Sequence, residues 1–203
     1  WYNALQIYSF FGHELKVNVD EYKSKAKQTL ASFRKYFISA AGYLNDLVIP
    51  GSMTDPSIRP NQVYGISLPF PLVEGKEAKK VLQFITDHLY TDLGLRSLSP
   101  SHHDFKPIYT GDQWQRDHAY HQGTVWAFLW GEYALAYLAV HKYSDESKDF
   151  IRKRAEALKH HFYHEDGIHA ISENFDGGSP RFGKGCIQQA WSVGMLLKVM
   201  LIL

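Results

Sequence analysis

Residues 122–140 read QGTVWAFLWGEYALAYLAV, and residues 145–162 read DESKDFIRKRAEALKHHF. The first stretch is apolar almost all round a helix. The second places Ile151, Ala155, Leu158 and Phe162 on one face and charges elsewhere. A helix without a polar face belongs inside a protein, whereas one with a single apolar stripe lies on its surface. Only His141–Ser144 separates the two, so they are expected as a hairpin of one buried and one exposed helix, with Ser144 as the N-cap of the second.

The same contrast recurs outward along the chain. Toward the N-terminus, Trp1, Leu5, Tyr8 and Phe11 give a first helical pattern that ends at Gly12. Tyr22, Ala26, Leu30, Phe33 and Phe37 give a second behind Asp20. A third covers Asn61 to Phe70, and a fourth, from Lys76, turns Ala78, Val81, Ile85 and Leu89 inward and closes at Gly94. The two quoted stretches are the fifth and sixth, and a seventh runs from Lys184 to the end. Patterns one, three, five and seven are poor in charge, while two, four and six are amphipathic. This predicts an all-α protein with alternating inner and outer helices. Three long connections, Ser39–Pro60, Thr91–Tyr120 and Tyr163–Gly183, each lead from an outer helix to an inner one. Because each hairpin reverses the chain, they are expected on one face, and long connections commonly carry function.

Composition narrows the function. The chain has 203 residues, 45% hydrophobic and 21% charged, with 22 Lys and Arg against 21 Asp and Glu. That balance supports a globular core and gives no clustered basic surface for nucleic acid or a membrane. The apolar tail from Val193 is interrupted by Lys198 and is too short to span a bilayer. A single cysteine, Cys186, excludes an internal disulfide and favours a reducing, cytoplasmic setting. Aromatic residues make up 15% of the chain, a surplus suited to flat or ring-shaped ligands. No glycine-rich nucleotide fingerprint or CxxC pair is present, and no cofactor is expected. His160 with His164, and His118 with His121, have spacings that can ligate zinc but lack a third ligand, so no metal is expected.

The long connections hold the chemistry. They contain SIRPNQ (57–62), LRSLSP (95–100), GDQWQRDHAYHQGTVW (111–126) and SENFDGG (172–178). Carboxylates, amides, arginine and tryptophan interleave there, the mixture that binds sugar hydroxyls and packs the C–H face of a sugar ring. GDQWQRDHAYHQGTVW, together with SIRPNQVYGISLPF upstream, SENFDG, and GCIQQAWS (185–192) downstream, resembles the amylo-α-1,6-glucosidase domain of the glycogen debranching enzyme family, in order and spacing and over nearly the whole chain. The resemblance implies an (α/α)6 toroid and an inverting glycoside hydrolase. Its substrate would be the single α-1,6-linked glucose left at a glycogen branch point after outer-chain transfer.

Glu173 matches the general base of that family. Asp112, Gln113, Trp114, Arg116, Asp117, His121, Gln122 and Trp126 are expected to bind substrate, with Tyr120 lining the same pocket and Arg116 beside Asp112 and Asp117 as a clamp or a buried ion pair. These residues and Glu173 are expected to converge on one open groove. Two departures stand out: Ala127 occupies a position usually held by proline, and Asn174 one usually hydrophobic. The family's general acid precedes the segment that begins at Trp1. Residues 1–203 are therefore read as the C-terminal half of the glucosidase domain, inactive in isolation. Two other readings fit the residues less closely: another toroid α-glucosidase, such as a trehalase-like enzyme, and a non-catalytic polysaccharide-binding piece.

Overall fold

The computed structural model describes residues 1–203. Helices α1 (Tyr2–Glu14) and α2 (Asp20–Phe37) form an antiparallel hairpin in which Tyr8 packs on Tyr22 at 4.1 Å between ring centroids. Asn3 ties the hairpin to the rest of the molecule, donating to the Phe70 carbonyl at 2.8 Å and accepting from the Phe70 amide at 3.0 Å. A two-stranded antiparallel hairpin follows, β1 (Leu47–Ile49) with β2 (Met53–Asp55), in register Val48 opposite Thr54. Pro60, whose fixed φ suits a first helical position, starts a 3₁₀ turn over Pro60–Val63 that runs into the single turn of α3 (Tyr64–Ser67). Then come α4 (Gly75–His88), β3 (Tyr90–Thr91), β4 (Gly94–Arg96), α5 (Gln113–Ala119), β5 (Val125–Trp126), α6 (Phe128–Val140), α7 (Asp145–His164), β6 (Asn174–Phe175), β7 (Gly183–Lys184) and α8 (Ala190–Met200). No helix is long and apolar enough to cross a membrane.

The quoted hairpin is present. Ser144 caps α7, its side chain accepting from the Ser147 amide. Helix α6 is apolar on all sides because two cores flank it. Leu129, Tyr133 and Ala136 face one, with Val81, Ile85, Leu89 and Leu95. Trp130, Ala134 and Leu138 face the other, with Ile151, Ala155, Leu158 and Phe175. Helix α7 buries only Ser147, Ile151, Ala155, Leu158 and His161 of its twenty residues, as a surface helix does.

The all-α expectation is overturned. Five strands in the order β3-β4-β5-β6-β7, every neighbour antiparallel, make one sheet, and β1-β2 make a second. The second and third long connections thus share one sheet and the first carries a hairpin of its own, so none is structureless, and the arrangement is not all-helical. Each strand of the larger sheet is two or three residues long, too short to print an alternating pattern on the sequence. The inner and outer alternation also fails at the two ends. Helix α1 exposes Ile7, Tyr8, Phe10 and Phe11, and α8 exposes Trp191 and Leu197. Helix boundaries shift for local reasons. The fifth pattern begins as strand β5 and turns helical only at Phe128; the seventh begins as β7, and its helix starts at Ala190. Helix α5 was not expected, although its capping box is legible: Asp112 and Gln115 each accept the other's backbone amide at 2.9 Å.

Candidate functional site

Glu173 stands one residue before β6, and a local lattice fixes both its backbone and its side chain. Its amide donates to the Cys186 carbonyl at 2.8 Å, and the Cys186 amide returns a bond to Glu173 Oε2 at 3.0 Å. Gly185 makes this possible. It has φ +69°, and a Cβ there would overlap Glu173 Oε2, so a residue with a side chain would push the carboxylate away. From the other side the Tyr120 hydroxyl donates to Oε1 at 2.5 Å. Burial, reinforced by the hydrogen bond to Glu173, raises the Tyr120 pKa far above that of a free phenol, so this neighbour stays a proton donor. Each carboxylate oxygen accepts one bond here and keeps further acceptor capacity.

The residue before the carboxylate is also pinned. His161, 1% exposed, accepts from the Ser172 amide through Nε2 at 3.3 Å, while its Nδ1 lies 2.9 Å from Glu165 Oε2. Ser172 Oγ donates to Asp166 at 2.7 Å. The residue after it, Asn174, is fully buried and has no hydrogen-bond partner for either carboxamide atom. Asn174 pairs with Trp126 across β5 and β6, so the two side chains share a sheet face.

Trp126 forms one wall of a cavity of about 490 Å³, whose lining also includes Asp46, Arg59, Tyr64, His121 and Trp191. Aromatic contacts connect this wall to the carboxylate. Trp126 meets Tyr120 edge to face at 4.8 Å and stacks on His121 at 5.4 Å with 10° between planes. Arg59 organises the polar side. It donates to the Ser97 carbonyl at 3.1 Å, the His121 carbonyl at 2.7 Å and Gln122 Oε1 at 2.8 Å, and its Nε lies 3.5 Å from Asp46 Oδ2. Partial desolvation of the His121 ring, whose residue still reaches solvent, then the Arg59 charge, lower the His121 pKa below its ordinary value. Asp55, on the rim, is held below the usual carboxylate range by bonds from the Ser57 hydroxyl and amide. A larger depression of about 590 Å³ lies at the opposite end of α6, among Lys76, Lys79 and Lys142; it lacks both the aromatic walls and the tie to Glu173.

The residues expected at the site therefore divide. The structure places His121 and Trp126 in the cavity lining, ties Gln122 to it through Arg59 and joins Glu173 to it through Tyr120. Asp112, Gln113, Trp114, Arg116 and Asp117 instead ride on or beside α5. Trp114 is 67% exposed, with its ring 3.8 Å from that of His118. Asp112 is occupied by the helix cap, and Arg116 donates to the Gly111 carbonyl rather than forming the expected pair with Asp112 or Asp117. Sequence reasoning missed Asp46, Arg59 and Trp191. Arg59 was visible inside SIRPNQ, but nothing local marks Asp46. The one grouping with metal-ligand chemistry is His102, His103 and Asp104, whose ligand atoms lie within 4.8 Å of one another. There His102 is already engaged, Nδ1 accepting from the Asp104 amide at 3.1 Å and Nε2 lying 3.3 Å from Ser57 Oγ.

Comparison with known proteins adds an independent line. A family model described as amylo-alpha-1,6-glucosidase matches residues 1–198. The glycogen debranching enzyme of Saccharomyces cerevisiae is 27% identical over 114 residues, a stretch that covers 53% of this chain and 7% of the yeast protein.

Proposed function

The chain belongs to the amylo-α-1,6-glucosidase family, and from that premise we propose that Glu173 is the water-activating base of an inverting glycoside hydrolase that removes α-1,6-linked glucose at glycogen branch points. The observation that carries this reading is the mounting of Glu173. Donors on both sides, Tyr120 and the Cys186 amide, fix a carboxylate that keeps acceptor capacity for a water. Aromatic rings link it to a cavity with polar groups on one side and indoles on the other. A base of this kind takes a proton from water as water attacks the anomeric carbon, while an acid across the scissile bond protonates the departing oxygen. In inverting enzymes the two carboxyl groups stand about 6.5–9.5 Å apart, leaving room for that water.

The acid is proposed to come from sequence outside these 203 residues, which then act as the C-terminal part of the catalytic domain. On this reading the 203-residue chain alone releases no glucose. The branched glucan is the proposed substrate, and His121, Gln122 and Trp126 are proposed to contact it. Asp112, Gln113, Trp114, Arg116 and Asp117, on the exposed α5 segment, are proposed to meet glucan outside the cavity.

The test uses the whole protein that carries this chain, acting on a branched oligosaccharide with a single α-1,6-linked glucose. Glu173→Gln keeps shape and hydrogen bonding but cannot take the proton, so turnover is expected to fall by about 10³-fold or more with substrate binding nearly unchanged. The first product seen by NMR should be β-glucose. α-Glucose from the unaltered protein, or near-normal turnover by Glu173→Gln, overturns the assignment.

A further inference from the structure

The cavity holds a second carboxylate that the mechanism above leaves without a task. Asp46 immediately precedes β1, and its backbone is locked, the amide donating to the Asp55 carbonyl at 3.0 Å. Its side chain is 21% exposed, yet its one ionic partner, Arg59 Nε, stands 3.5 Å away, beyond direct hydrogen-bond reach. Arg59 cannot move closer without giving up other bonds. Both of its terminal nitrogens are committed, one to the carbonyls of Ser97 and His121 and one to Gln122, and these bonds hold together segments more than thirty residues apart in sequence. A largely enclosed carboxylate whose partners are one long ion pair and the Asn61 side chain keeps acceptor capacity for a ligand. Burial, with a smaller push from the Asp55 carboxylate, raises the Asp46 pKa against the Arg59 guanidinium and the Asn61 side-chain hydrogen bond.

The aromatic part of the lining has the complementary character. Trp126 and Trp191 meet at 6.2 Å with 72° between planes, forming an indole corner, and Trp191 is still 47% exposed. Acceptors and a fixed cation on one side and indole faces on the other match a molecule with hydroxyls along one edge and a C–H face. That is a neutral hexopyranose, not a flat base or a phosphate. A volume of about 490 Å³ falls within the range of small-molecule sites.

The geometry points to Asp46 as a specificity-determining residue, accepting hydrogen bonds from hydroxyls of a glucosyl ring that packs on the exposed Trp191, with the buried Trp126 backing that wall and Arg59 as the positioning residue that holds the polar groups in place. The identity of the sugar as glucose rests on the glucosidase reading; the assignment of Asp46 as a hydroxyl acceptor does not.

The two can be separated on the whole protein that carries this chain by isothermal titration calorimetry. D-Glucose is expected to give a saturable response. Asp46→Asn, which keeps the shape and loses the charge, should weaken it about tenfold, and Asp46→Ala by more, because a hydrogen bond to a charged group is lost. Circular dichroism of both variants reports folding, and Asp46→Asn decides the matter if Asp46→Ala is unstable. No saturable glucose response, or an unchanged response in Asp46→Asn, overturns the proposal. So does a calcium chloride titration whose response disappears in Asp46→Asn, which would make Asp46 and Asp55 a cation site. Glucose binding that depends on Asp46, alongside normal turnover by Glu173→Gln in the whole protein, sinks the base assignment and leaves this one standing.

Discussion

From Gln113 to Ala119 the chain is an exposed helix; from Tyr120 to Trp126, the next seven residues, it passes into the interior. The two halves have similar composition, both rich in aromatic, amide and histidine side chains, yet their hydrogen bonds differ in range. Helix α5 closes its own bonds within three to five residues: Asp112 with Gln115, His118 with the Trp114 carbonyl, Arg116 with Gly111. The second half is held by distant partners. Arg59 reaches the His121 carbonyl, Ser97 Oγ accepts from the Gly123 amide at 2.9 Å, and Tyr120 reaches Glu173, 53 residues on. Gly123, at φ +141°, lets the backbone come so close to the Lys106 carbonyl that a Cβ would stand 2.5 Å from it. Polar residues become a site where non-local bonds capture them; where local bonds suffice, they remain on the surface.

That contrast should appear first in stability. Trp126→Ala empties a position that is 5% exposed and should cost about 3–5 kcal/mol, read from urea unfolding. A loss below about 1 kcal/mol would show that the interior half is not packed as described. Asp112→Ala removes one side of the capping box and should cost about 1 kcal/mol, confined to α5. Hydrogen exchange should then speed up at the Gln115 and Arg116 amides and not at Val125 or Trp126; faster exchange at all four would mean that the halves fold as one unit.

A smaller effect is expected from pH. Since His121 has a lowered pKa in the folded chain, the unfolded chain binds more protons below the ordinary value of 6.5. Stability contributed at this site is therefore complete above that pH and declines as pH falls from 6.5 toward the folded value. An NMR titration of the His121 ring with a midpoint at or above 6.5 would contradict its partial desolvation beside Arg59. The smallest effect belongs to Trp114→Ala on the exposed face of α5, expected to leave stability unchanged within about 0.5 kcal/mol. A larger loss in the unfolding midpoint would place α5 in the packed body of the molecule.

The sequence alone determined the long helices, because a stripe repeated over three or more turns leaves a readable period. The stretch from Phe128 to Phe162 announced one buried and one exposed helix, and Ser144 announced the cap between them. It also determined the family, through side chains that keep their order whatever shape the backbone takes. Glu173 and the HQGTVW segment were legible in that way. The sheet was not, since strands of two or three residues carry no period and exist only through pairing with strands as far as about fifty residues away. Nor was the division of the 111–126 segment, because burial there is decided by Arg59, Ser97 and Glu173 rather than by the segment's own residues. Asp46 lies in a stretch with no catalytic pattern. It lines the same cavity as Trp126 only because the β1–β2 hairpin and one guanidinium carry it there, and a site assembled across that separation leaves no mark in local sequence.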